Sequence, residues 1–446
     1  DLSQSRGLGD VYKRQIKTMK ILPLIGATLL GVSPFSVNAE EFKQVSKFET
    51  YKNYRVQADQ DGDRIVFDKK SAPEIVDATE DGKTLVYTNS ELGSIGFVDI
   101  SNPSNPIGLG EMYVDGEPTS VAVKGDYAVF GVNTSESYTN PSGKAVLFKV
   151  STQERLFEVP LIGQPDSVAI SPDGSFAVIA IENERNEDIN DEMIPQLPEG
   201  VLAMLDMTGG VQYVDLTGLA DIAPSDPEPE FVDVNDLGET VITLQENNHL
   251  AVVDKDGNIL NHFSAGWVEL NNIDTKKDGV YNPVDSRTSR REPDAVVWID
   301  NDHFATANEG DYKLKGYKGT HKRGGSRGWT IWNKDGTVVY ESGATFETAL
   351  AEAGFWPDKR AGKKGVEPES VTVGTFEGTR YIFVGAERAD AVGVYDATDL
   401  SNPILKQILP SGIAPEGLKA IPSRNLFVTS NEKDKKVRGN LTIFQF

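Results

Sequence analysis

The sequence predicts an all-β chain folded as a seven-bladed β-propeller of four-stranded antiparallel blades, and three observations carry that prediction. A unit opening on Pro beside an acid recurs seven times, at Pro73-Glu74, Glu117-Pro118, Pro165-Asp166, Pro229-Glu230, Pro293-Asp294, Pro368-Glu369 and Pro415-Glu416. Each opening is followed by a short apolar run, a polar hairpin and further β-rich runs without intervening helices, which is the pattern of propeller blades. The seventh repeat stops in its third strand at Phe446, while a spare strand at 45–51 precedes the first repeat. Pairing that strand with the last blade fills the gap and removes a sheet edge. A β-solenoid is the rival, but its repeats are shorter.

Taken from the N-terminus, Asp10-Val11-Tyr12-Lys13-Arg14-Gln15 matches the translation of a transposase end sequence, so residues 1–18 read as an assembly scar. Met19 then opens secretory signal grammar over 19–39: Lys20, an apolar run at 21–32, and Val37-Asn38-Ala39 with small residues at a cleavage position. That run is shorter than the roughly 20 residues a bilayer requires. Residues 40–446 are therefore expected to form one propeller domain, periplasmic or secreted from a bacterium, monomeric and without a membrane span. Asp59-Gln60-Asp61-Gly62-Asp63 resembles the start of a Ca²⁺ loop but lacks Gly at position six and Glu at twelve, so it reads as a solvated turn.

Within the blades, the hairpins carry the Gly, Asp, Asn and Pro that tight turns require, as at Glu80-Asp81-Gly82-Lys83 and Ser171-Pro172-Asp173-Gly174. Third strands are expected at 95–100, 145–150, 201–207, 250–254, 329–333, 392–396 and 441–446, and the best helical stretch at 346–353.

Composition excludes several chemistries. Without cysteine there is no disulfide, thiolate nucleophile or Cys-zinc site, and no Gly-x-Ser-x-Gly elbow occurs. No nucleotide, haem or flavin site is expected. A net charge of −24 argues against nucleic acid, whose phosphates need basic residues, and suits cation binding or solubility.

The acids that open the blades, Glu74, Asp166, Glu230, Asp294, Glu369 and Glu416, sit at the start of the innermost strand. A second polar set, with Glu182, Glu246, Glu309, Asp311, Glu387 and Glu432, sits where the next strand ends. Two antiparallel strands bring start and end to one edge, so both sets are expected around one channel mouth. The second blade departs from the pattern, with Thr119 and Asn133 in these places. Clustered carboxylates repel unless a cation or basic partner intervenes, and oxygen ligands suit Ca²⁺. The four histidines, His249, His262, His303 and His321, are too scattered for zinc. The same acids also suit a purely architectural role, bonding backbone N–H groups in the turns between blades.

Four insertions, at 183–200, 267–291, 311–328 and 347–366, leave from the same face. Between Lys276 and Lys364 there are 16 Lys/Arg against 13 Asp/Glu, a basic stretch in an acidic protein. Lys313, Lys322, Arg323, Arg327, Arg291, Lys363, Lys364 and Arg388 are the candidate anion-binding residues, since a basic rim over a cation-loaded mouth would hold a phosphate ester or other small anion. A solvated loop that merely balances charge is the alternative.

The segments EPEFVDVNDLGETVITLQENNHLAVV (228–253), EPDAVVWIDNDHFATANEGD (292–311), GVEPESVTVGTFEGTRYIFVGAERADAVGVYD and APEGLKAIPSRNLFVTSNE together resemble the choice-of-anchor I domain, over 72–446. That family is a secreted bacterial propeller related to esterase-like phytase and alkaline-phosphatase-annotated propellers. The resemblance implies the propeller strongly and the activity weakly, since one fold hosts many functions. Relatives with a C-terminal sorting tail differ from this chain, which stops on a core strand. Three functions follow as expectations: a Ca²⁺-dependent phosphoesterase using metal-activated water, a non-catalytic propeller binding a protein or surface polymer, and a lactonase-type metal hydrolase. No individual catalytic residue is singled out.

Overall fold

In a computed structural model, residues 42–53, 71–314, 323–432 and 438–446 are described. The expected scar, signal segment and Asp-rich turn lie outside them, as does Lys322. Among the described residues there are seven four-stranded antiparallel sheets, six of them meanders of consecutive strands, with one additional two-stranded sheet. The last sheet is completed by Lys43–Glu49, which pairs antiparallel with Asn440–Gln445 as expected from the missing strand. The third strands begin and end within two residues of the expected positions, and the helix spans Thr345–Glu352.

Burial follows from position in the blade. Central strands such as Thr240–Leu244 and His249–Val253 are buried along their whole length, because neighbouring blades cover both faces. Outer strands such as Ile259–Ser264 alternate toward solvent. Aromatic rings fill the wedges between blades. Trp329 packs on Tyr395 with centroids 4.7 Å apart, and Phe42 meets Phe376 at 5.0 Å and Phe383 at 5.2 Å. Each such ring contributes about 1.5–3 kcal/mol by leaving water.

The feature that positions the site is a register break at the blade openings. The pairing of the two innermost strands shifts between Pro73 and Val76, Pro165 and Val168, Pro229 and Val232, Pro368 and Ser370, and Pro415 and Gly417. The acid lies inside each break. A bulge bends the strand and re-aims one side chain, which here is the acid. Neighbouring blades take up backbone groups at these breaks: Ser120 Oγ accepts from the Val168 N–H at 3.0 Å, and Ser167 Oγ from the Val232 N–H at 3.3 Å. In the second blade Thr119 takes the acid's place and donates to the Pro165 carbonyl at 2.9 Å, so that position braces the next blade.

Candidate acidic site at the channel mouth

Below the bulges the channel holds a cavity of about 270 Å³, lined by Val76, Val121, Val168 and Val371 together with Asp77, Asp233, Glu416 and Lys419. On its wall Asp77 and Lys419 pair at 2.5 Å, joining the first and seventh blades. At the mouth the lining turns acidic. A second cavity, of about 310 Å³, is bounded by Asp166, Glu182, Glu184, Glu187, Glu230, Glu246, Glu309 and Asp311, with Arg185 among them.

The expected carboxylates converge in two groups. On blades three and four, Asp166, Glu182 and Glu230 each offer an oxygen within 4.8 Å of the others, and so do Glu182, Glu228 and Glu246. On blades five to seven the same holds for Asp294, Glu309 and Glu369, and for Glu369, Glu387 and Glu416. Burial, reinforced by neighbouring acids, pushes Glu182, Glu230, Asp294, Glu369 and Glu416 well above the carboxylate range. It brings Asp166 to about 7 and Glu387 to about 7. Glu74 bonds Ser90 and rises to about 8 through burial, with Glu432 among the neighbours repelling it.

Three cations are paired with these acids. Arg185, 3% exposed, donates to Glu246 at 2.5 Å and to Asp311 at 2.7 Å. Lys364 pairs with Glu309 and lies 3.4 Å from Asp311. Arg388 pairs with Glu387 and, at 3.2 Å, with Glu367. Burial alone would raise Asp311, but Lys364 and Arg185 outweigh it and hold the group at about 2. Asp311 is thus an ion-pair hub between the two carboxylate groups.

The basic rim differs from expectation. Arg327 is 0% exposed and bonds Glu347 at 2.9 Å and the Ala361 carbonyl at 2.5 Å, which makes it an internal brace. Arg291 is likewise inside, bonded to Glu341 at 2.8 Å and to the Ala265 carbonyl, with its guanidinium over Trp332. Lys364 and Arg388 are tied to the acids themselves. Lys363 is exposed, and Lys313 and Arg323 are half-exposed beside Glu192, at 3.8 and 3.2 Å. Counting basic residues in a segment reports charge, but not which of them find buried partners. Residues 267–291 are also more ordered than an insertion suggests, forming the hairpin Trp267–Ile273 with Asp285–Arg290.

Sequence reasoning missed Arg185, although it adjoins Glu182-Asn183-Glu184. It also missed the Glu preceding Pro in three blades, at Glu228, Glu292 and Glu367. All three are fully buried, and the triplet Glu-Pro-acid, repeated at 228, 292 and 367, is the signal that could have found them. Glu292 pairs with Arg290 and accepts the Asp311 and Tyr312 N–H groups, at 3.0 and 2.9 Å. Glu367 pairs with Arg360 at 2.5 Å and with Arg388. Glu228 differs: no N–H or hydroxyl among the described residues reaches its oxygens. Burial, with Glu246, Glu182 and Asp226 beside it, pushes it well above the carboxylate range, and as an acid it bonds Asp226. One oxygen each of Glu230 and Glu246 is also buried with no donor among the described residues, whereas Glu369 and Glu387 bond each other as a carboxyl pair.

The model of the choice-of-anchor I domain family matches residues 74–223, 210–324 and 315–400, which is well over half of the chain. No curated protein matches significantly. Among solved structures the fold resembles U3-55K, with 10% identity, 84% of this chain and 96% of that chain covered, and a TM-score of 0.57. It also resembles virginiamycin B lyase from Staphylococcus aureus (11% identity, 91% and 100% covered, TM-score 0.56). A third is hydrazine synthase of Kuenenia stuttgartiensis (15%, 86% and 98%, 0.53). At such identities the likeness shows the propeller alone.

Proposed function

The chain belongs to the choice-of-anchor I domain family, and from that premise we propose that it is a phosphoester hydrolase using a divalent cation, Ca²⁺ first, at the acidic channel mouth. The observation that carries the reading is Glu228, fully buried with no N–H, hydroxyl or cation on either oxygen, beside oxygens of Glu182 and Glu246. Ionising a carboxyl buried without a cation costs several kcal/mol, and the same acid in two sister blades has an arginine. A bound cation would relieve that cost. The donors are all carboxylate oxygens, the set a hard cation takes, and no imidazole is among them.

Asp166, Glu182, Glu230, Glu228 and Glu246 would hold a cation on one side, and Asp294, Glu309, Glu369, Glu387 and Glu416 on the other. When bound, such an ion polarises a phosphoryl oxygen and acidifies a water. The chain's own residues orient the anion: half-exposed Arg323 and Lys313 stand at the rim, and exposed Lys363 is a further donor. The family is one of bacterial cell-surface or secreted proteins, and we place the activity outside the cytoplasm.

A non-catalytic binding propeller is the second reading, favoured by Arg185 and Lys364 already neutralising Glu246, Asp311 and Glu309. Turnover of a panel of phosphomonoesters and diesters, with Ca²⁺ and with chelator, separates the two. Ca²⁺-dependent turnover that falls at least tenfold in Glu228→Gln is expected. Absence of metal-dependent turnover across the panel would leave the binding reading.

A further inference from the structure

The hairpin of Trp267–Ile273 and Asp285–Arg290 carries a second chemical anomaly, away from the carboxylates. Cross-strand partners share a face, so Val268 with Ser289 and Leu270 with Arg287 lie on one side. That side is the buried one: Val268, Leu270 and Ile273 form a small apolar cluster with Ala344. Arg287 therefore projects from an apolar face. Its Nη1 donates to the Lys363 carbonyl at 2.9 Å, but Nε and Nη2 are buried and meet no acceptor among the described residues. Those two N–H groups form one edge of the guanidinium, the edge that grips an oxyanion through two parallel hydrogen bonds.

The neighbours are donors as well. Ser289, on the same face and fully buried, has a hydroxyl without a partner. Arg327 shares the Lys363 carbonyl, at 3.2 Å, and its Nε is also buried and unpartnered. Glu347 is committed to Arg327, with both its oxygens bonded to Nη1. Two guanidiniums thus converge on one carbonyl with one carboxylate between them. Burial and repulsion from Arg327 lower Arg287 to about 9, outweighing the pull of Glu347. Leaving a buried charged donor unsatisfied costs more than a neutral one, so such a group calls for a partner.

We infer that a small tetrahedral oxyanion, phosphate or sulfate, is held internally on the Nε/Nη2 edge of Arg287, with Arg327 and Ser289 as neighbouring donors. This site is independent of the proposed metal at the mouth. It lies behind the mouth wall, since Lys363, whose carbonyl both arginines share, adjoins Lys364, which pairs with Glu309.

The test is thermal unfolding of the full chain in chelator, titrated at constant ionic strength with sodium phosphate, sulfate, acetate or chloride up to about 10 mM. A bound anion raises the melting temperature with the logarithm of its concentration once that exceeds Kd, whereas general salting-out by sulfate or phosphate grows linearly and needs far higher concentrations. Logarithmic stabilisation by phosphate or sulfate in this range, absent with chloride, is expected. The Kd fitted from it should rise at least tenfold in Arg287→Leu, and also in Arg287→Lys, which keeps the charge and loses the two-pronged edge. The lysine variant serves if the leucine variant fails to fold. Acetate acting at an equal or lower Kd would identify a carboxylate as the ligand and overturn the assignment to a tetrahedral anion. No such response in the parent chain, or an equal one in the variants, would overturn the site itself. Chelator keeps the mouth free of metal throughout, so phosphate held by the proposed hydrolytic site cannot mimic the result.

Discussion

Replacing Asp166 by Asn should stabilise the metal-free protein at alkaline pH, the reverse of what removing a ligand does to a loaded site. Asp166 is raised from 3.8 to about 7, by burial first and by Glu184 and Glu246 next. Its folded state therefore binds the proton more tightly than the unfolded chain. Below about pH 4 both states are protonated and the carboxyl costs nothing. As pH climbs from about 4 to 7 the unfolded chain releases its proton first, and stability falls until the full cost is reached above pH 7. At roughly 1.4 kcal/mol per unit, that rise amounts to about 4 kcal/mol. Asn removes the charge but keeps a buried polar group, so a gain of about 2–4 kcal/mol at pH 8 is expected. The gain should vanish near pH 4. Saturating Ca²⁺ should erode the variant's advantage by about 1.4 kcal/mol for each tenfold loss of affinity. Urea unfolding of both proteins at pH 4 and pH 8, each with chelator and with Ca²⁺, measures all of these. A variant less stable than the parent at pH 8 in chelator would refute the reasoning, because Asp166 would then be satisfied within the chain.

Three other outcomes follow from the same geometry. Lys364→Met removes the cation paired with Glu309 while Asp311 keeps Arg185, and should cost about 3–5 kcal/mol in urea unfolding, partly recovered by Ca²⁺. Asp311, held at about 2, contributes stability above its ordinary 3.8 that disappears as pH falls toward 2; Asp311→Asn should flatten that acid limb. Phe42→Ala removes the ring that meets Phe376, Phe383 and Phe446, and should cost about 3–5 kcal/mol in the same assay.

The fold was legible because propeller blades repeat their turn chemistry. Seven Pro-acid openings and one missing strand sufficed to predict the blades and the closing of the last one. The convergence of the acids was legible too, since strand direction alone brings the two sets to one edge. What escaped was pairing. Arg185 is one residue among many in sequence, and only the folded ring carries it to Glu246 and Asp311, 61 and 126 positions away. Arg327 and Arg291 counted toward a basic rim, yet each had a buried acceptor supplied by a different element. Periodicity reports which face a side chain occupies, whereas its counterion comes from another blade.

The strand that completes the seventh blade has a consequence for the order of events during synthesis. Lys43–Glu49 is made before any other described strand of the propeller, yet its partner, Asn440–Gln445, is made last. The Phe42 N–H likewise waits for Gln407, 365 positions downstream. Joining such distant segments is slow, because the chain must give up much of its freedom before the contact rewards it. Until Asn440–Gln445 arrives, the first strand has no mate, and the ring presents an open flank. A chain cut before Asn440 would keep most of its blades but could never become a circle. Closure is therefore one late, all-or-none event: whether the first strand has found its distant partner.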